Sequence, residues 1–167
     1  MSIWPEDIEE AAKRIVADFT ERKLMIATAE SCTAGLIAGA ITEVAGSSTV
    51  FDRGFITYSN HAKQEMLGVS RDTLEAHGAV SRPTAIEMAE GAIRHSEANI
   101  SVAVTGIAGP GGGSAEKPVG LVHLAAARAG HATLQREMRY GDIGRQQVRL
   151  ATLRTAFEML REAASLE

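Results

Sequence analysis

The sequence predicts an α/β protein, a three-layer α/β/α sandwich around a mixed, mostly parallel sheet. Three observations carry this. Helical apolar patterns alternate with short β-branched runs through the first half of the chain. Two consecutive strand-like runs, Val119 to Ala127 and His131 to Arg139, are separated only by the turn Arg128 to Gly130 and so pair as an antiparallel hairpin. A long amphipathic pattern closes the chain. At 167 residues this is the length of one domain, so residues 1–167 are read as a single unit.

In order, Ile8, Ala11, Ala12, Ile15, Val16 and Phe19 recur at helical spacing, giving a helix from Pro5 to Arg22 with Pro5 in the first position. Leu24 to Ala27 reads as a buried strand and Leu36, Ile37, Ala40, Ile41 and Val44 as the next helix, ended by a left-handed Gly46. Val50 to Tyr58 is a strand broken by Gly54, a sign of a bulge or a close approach. Ser59 or Asn60 caps a helix through Lys63 and Leu67 to Gly68, Ser70 starts Arg71 to Ala76, and Ser81-Arg82-Pro83 opens a helix to His95. Ile100 to Thr105 is a buried strand that empties into a loop with glycine at 106, 109, 111, 112 and 113. Asp142 caps the final helix, whose apolar stripe runs from Val148 to Ala163 and whose first turn holds Arg145.

A formal net charge of −4 with no run of Lys or Arg argues against a nucleic-acid partner. The single cysteine, Cys32, allows no intrachain disulfide, and the absence of a signal-like start and of a long apolar run makes the cytoplasm, without a membrane partner, the expectation. The five histidines show no pair at metal-ligand spacing, so no metal and no cofactor are expected.

Chemistry concentrates at Ala27-Thr28-Ala29-Glu30-Ser31-Cys32-Thr33-Ala34-Gly35, where a strand stops and turns into a helix. Such a junction leaves helix N–H groups free for an anion or oxyanion, although Ser31 or Thr33 serving only as an N-cap explains the same residues. Strands of an open sheet present their carboxyl ends to ligands, and the polar strand ends here are Ser31, Tyr58 and Thr105. They face one crevice if their strands are parallel neighbours. The glycine loop fits neither the Walker nor the G-x-G-x-x-G pattern, and G-x-S-x-G around Ser31 is absent. Phosphate contact and a plain surface loop both remain open for it. Ser114-Ala115-Glu116-Lys117 matches S-x-x-K, yet Pro118 and the glycines leave it too little helix.

Six blocks in order, Thr28 to Gly35, Ala45 to Ser48, Gly54 to Asn60, His77 to Ser81, Thr105 to Pro110 and Lys117 to Gly120, resemble the CinA C-terminal domain family in its stand-alone form. The one departure is Ala34, where the block commonly has glycine. The resemblance implies a nicotinamide mononucleotide deamidase in pyridine nucleotide recycling, acting through Ser/Lys chemistry on a small mononucleotide substrate. It implies Ser31 as nucleophile, Lys63 as base, Tyr58 as proton relay or orienting group, and the N–H groups of Cys32 and Thr33 as oxyanion donors. Glu30, Ser48, Thr105, Gly106, Gly109 and Arg145 are then the substrate contacts, with Arg145 on the phosphate. Ser48 is the alternative nucleophile. Rival readings are a Cys32 hydrolase, a non-catalytic mononucleotide-binding module, and an interaction protein in recombination. A homodimer is the expectation for assembly, and no spacing decides it.

Overall fold

The strands that are apolar on both faces become the middle of the sheet. In the computed structural model, which describes residues 2–167, these are β1 (Ile26–Glu30), β3 (Ile100–Gly106) and β4 (Leu121–Arg128). The half-exposed β2 (Phe51–Ile56) and β5 (Leu134–Arg139) are the edges, giving the order β2-β1-β3-β4-β5. β1 runs parallel to both neighbours, and β3-β4-β5 are antiparallel, so the expected mixed sheet and terminal hairpin are both present.

Alternation along the strands sends different residues to the two faces. Ile26, Val102, Val104, Val122 and Leu124 join a core with α1 (Glu6–Glu21), α2 (Leu36–Thr42) and α6 (Arg145–Ala164). Ala27, Ala29, Ala103, Ala125 and Ala127 face α5 (Arg82–Arg94), with α3 (Asn60–Leu67) and α4 (Arg71–His77) packed around it. On that side space is tight. A β-carbon on Gly91 of α5 would stand 2.1 Å from the Leu67 carbonyl oxygen, so glycine is what lets α5 lie against the end of α3. No helix is long and apolar enough to cross a membrane among the described residues.

Ser59, Ser70 and Ser81 cap α3, α4 and α5, each hydroxyl accepting from the N–H three residues on. Two other caps differ from expectation. Gly144, not Asp142, precedes α6, and Asp142 is exposed. The cap of α2 is Gly35 at φ 97°, rather than Ser31 or Thr33. Residues 31–35 make a turn of their own before the helix begins. The β1–β2 irregularity lies opposite Asp52, two residues before Gly54. Gly54 is instead a close approach: a β-carbon there would meet Thr28 Oγ1 at 2.8 Å.

Candidate active site

Because β2, β1 and β3 are adjacent and parallel, their carboxyl ends lie side by side at the end of the sheet where open sheets offer a crevice to ligands. The ladders continue one residue past β1 and β2, since Ser31 N–H donates to the Val104 carbonyl and Thr57 N–H to the Glu30 carbonyl. Thr57 therefore lies beside Ser31, Ser31 beside Thr105, Thr105 opposite His123 and His123 opposite Glu137. Strand alternation puts this polar row on the α5 face, directly beyond the alanine-lined part of the sheet.

Lys63 of α3 closes over the row. It is 1% exposed, and its Nζ donates to Ser31 Oγ at 3.0 Å and to the Thr57 carbonyl at 2.7 Å. The serine cap at Ser59 sets the phase of this short helix, so position 63 faces inward. Burial pulls the ammonium down from its ordinary 10.5 to about 8, and no carboxylate among the described residues lies within ion-pair distance to oppose it. A lysine in this setting can exist as a free amine near neutral pH and accept the proton of the hydroxyl beside it.

The turn after Ser31 is fixed from the other side. Arg149 of α6 donates to the Cys32 carbonyl at 3.0 Å and to the Thr33 carbonyl at 3.1 Å. In a trans peptide N–H and C=O point oppositely, so this clamp turns the Thr33 N–H away from α6. The N–H groups of Cys32 and Thr33 donate to no atom among the described residues. Those of Ile37 and Ala38, in the first turn of α2, do not share that freedom. They donate to Oε1 and Oε2 of Glu30 at 2.9 and 3.1 Å, and Thr33 Oγ1 donates to Oε1 as well. Glu30, 1% exposed, thus holds the first turn of α2 with three hydrogen bonds to its carboxylate, a structural role in place of the expected substrate contact. Ala34 takes φ 46°, a left-handed value that suits glycine better and accounts for the residue usual in this block.

Tyr58 and Arg145 meet at the mouth of the crevice. Arg145 donates to the Tyr58 hydroxyl at 3.2 Å and to the Gly109 carbonyl at 2.9 Å, and no carboxylate lies within 4.0 Å of it among the described residues. Tyr58 is 62% exposed and makes no hydrogen bond to Lys63. The orienting group for Lys63 is the Thr57 carbonyl, because alternation turns position 58 to the other face. Thr105 is buried and donates to the Ala79 carbonyl at 2.8 Å, which ties the α4–α5 loop to β3, and Gly106 packs against Val122 of β4. Ser48 is exposed in the 3-10 turn Ser47–Thr49, at the amino end of β2. A six-residue strand separates it from the crevice, about 20 Å, so it belongs to no common site with Ser31. Cys32 is buried on the α6 side and burial pushes its thiol up to about 11, which removes it as a ready nucleophile.

The family model of the CinA C-terminal domain matches residues 8–164. The chain belongs to that family. It is 53% identical over 122 residues to nicotinamide-nucleotide amidohydrolase PncC of Escherichia coli (strain K12), covering 72% of this chain and 74% of that one. It is 49% identical over 156 residues to a putative competence-damage inducible protein of Acetivibrio thermocellus, covering 93% of this chain but 37% of the relative, so the family member here spans well under half of that longer protein. The crystal structure of competence/damage inducible protein CihA from Agrobacterium tumefaciens superposes with a TM-score of 0.97 at 65% identity, covering 99% of this chain and 100% of that one. The Escherichia coli CinA superfamily protein structure gives 0.89 at 32% identity over 97% and 94%.

Thr57 and Arg149 are the two site residues that sequence reasoning missed. Thr57 looks like any β-branched strand residue. Arg149 stands one helical turn after Arg145, a repeat that marks a shared face without saying what that face meets.

Proposed function

We propose that this CinA-family domain, residues 1–167 acting as one unit, is an amidohydrolase that converts nicotinamide mononucleotide to nicotinic acid mononucleotide and ammonia. The observation that carries the reading is the buried Lys63 amine at 3.0 Å from Ser31 Oγ, with its pKa lowered to about 8. The name of the Escherichia coli relative supports the substrate.

In this reading neutral Lys63 takes the Ser31 proton as Oγ attacks the carboxamide carbon. The tetrahedral oxyanion is held by the Cys32 and Thr33 N–H groups, free of other partners among the described residues and set by the Arg149 clamp. Lys63 ammonium then gives the proton to the departing nitrogen, ammonia leaves, and water hydrolyses the acyl-enzyme with Lys63 again as base. Arg145, a cation with no carboxylate partner among the described residues, meets the phosphate, with Tyr58 and the Gly109 loop holding its guanidinium. Thr105 and Gly106 form the wall beside Ser31.

The test is ammonia release from nicotinamide mononucleotide by the wild-type chain, Ser31→Ala, Lys63→Ala and Ser48→Ala. Turnover is expected in the wild type and Ser48→Ala and lost in the other two. Binding of the nucleotide by the wild type without ammonia release would sink the catalytic reading.

A further inference from the structure

One group in the crevice has no place in that mechanism. Thr57 is wholly buried, and its Oγ1 has no hydrogen-bond partner among the described residues. A buried hydroxyl left without a partner costs stability, and replacing it with an apolar group of the same shape removes the cost. Its position gives the hydroxyl a use. Thr57 continues the β1–β2 ladder through its N–H to the Glu30 carbonyl, which puts it next to Ser31 at the interstrand spacing of about 5 Å and on the same face. Its own carbonyl holds Lys63 Nζ. One residue thus orients the base with its backbone, while its hydroxyl, unpaired among the described residues, stands on the strand beside the nucleophile.

We propose that Thr57 is a positioning residue for the hydrolytic water of the second half-reaction. The inference rests on the acyl-enzyme reading above. Once ammonia has left, Lys63 is again a free amine. A water enters, donating one hydrogen to Lys63 Nζ and the other to Thr57 Oγ1, with its lone pair directed at the acyl carbon on Ser31. The water oxygen forms the new C–O bond, Lys63 takes the proton, the bond from the acyl carbon to Ser31 Oγ breaks, and the lysine ammonium returns a proton to Oγ. Nothing is oxidised or reduced. The first half-reaction uses no water, so it does not depend on the hydroxyl.

The experiment compares wild type, Thr57→Val and Thr57→Ser with nicotinamide mononucleotide in rapid-quench ammonia release, with intact-mass measurement of the protein during turnover. Thr57→Val is expected to release its first equivalent of ammonia at close to the wild-type rate and then turn over about tenfold or more slowly. The covalent acyl-enzyme accumulates and is seen as added mass. Thr57→Ser, which keeps the hydroxyl, shows neither the burst nor the added mass. The melting temperature of Thr57→Val rises by a few degrees, since an orphan hydroxyl is removed from the core. Wild-type turnover in Thr57→Val, or an equal slowing of the first and later turnovers, overturns the proposal. A melting temperature that falls marks damage to the fold, and Thr57→Ala is then read by the same burst criterion. A wild type that releases no ammonia overturns the amidohydrolase reading itself, a distinct result from an active wild type with an unaltered variant.

Discussion

Replacing Lys63 with methionine keeps an unbranched four-atom stem and removes the amine, and its effect on stability should depend on pH in a way that few other substitutions would. In the folded chain burial brings Lys63 from 10.5 to about 8. Below pH 8 it is charged in both folded and unfolded states. Between 8 and 10.5 the unfolded chain binds a proton that the folded one does not, so wild-type stability gains from Lys63 as pH rises through this window. At about 1.4 kcal/mol per pH unit the full gain is about 3 kcal/mol. Lys63→Met lacks it. At pH 7 the substitution relieves the same buried charge but leaves the Thr57 carbonyl without its donor, a cost of about 1–3 kcal/mol, so the two proteins differ little there. The assay is urea unfolding of both proteins at intervals from pH 7 to 10.5. Other groups titrating in this range are common to both and cancel in the difference, apart from Cys32, whose raised pKa acts in the opposite direction and which Lys63 itself holds down. The wild type should gain on the variant by about 3 kcal/mol across the series. Parallel stability curves would refute the argument that burial sets the protonation of this lysine. The same amine should make kcat/KM of the wild type rise with pH up to about 8, with Lys63→Arg inactive at every pH because a guanidinium does not deprotonate.

Three further perturbations separate structural from chemical roles. Gly91→Ala drives a methyl into the Leu67 carbonyl and should destabilise by about 1–3 kcal/mol or more, read as a fall in the urea midpoint with an unchanged m-value. Glu30→Ala strips the first turn of α2 of its buried acceptor, and a loss of about 1–3 kcal/mol is expected; nucleotide affinity that falls in the still-folded variant would return Glu30 to the substrate contacts. Cys32→Ala should retain wild-type turnover, and the wild-type thiol, buried and raised to about 11, should resist iodoacetamide at pH 7.5 in the folded protein; rapid alkylation with loss of activity would revive the cysteine hydrolase.

Local signals in the chain were enough for much of the architecture. Ser59, Ser70 and Ser81 each announced a helix, because a capping hydroxyl acts on N–H groups only three residues away. The apolar runs marked the inner strands, and the short turn at residues 128–130 dictated an antiparallel hairpin. Ser31 stands in one of the family blocks, whereas Lys63 and Arg145 lie outside them and enter through what the resemblance implies; the structure brings Ser31 and Lys63 into contact across 32 residues of sequence.

What the sequence could not decide depends on neighbours brought from elsewhere in the chain. Glu30 reads as a site carboxylate until α2 folds back over it and both oxygens take N–H groups. Tyr58 reads as the partner of Lys63 until strand alternation turns it to Arg145, and Ser48 as a second nucleophile until β2 carries it to the far end of the sheet. Burial of Lys63 beneath α3, the clamp of Arg149 on the turn and the unpaired hydroxyl of Thr57 exist only once the layers pack. Hydrophobic period and capping act over a few residues and can be read from the chain. Desolvation of an amine and the alignment of groups across strands depend on the packed sheet, and only the tertiary structure sets them.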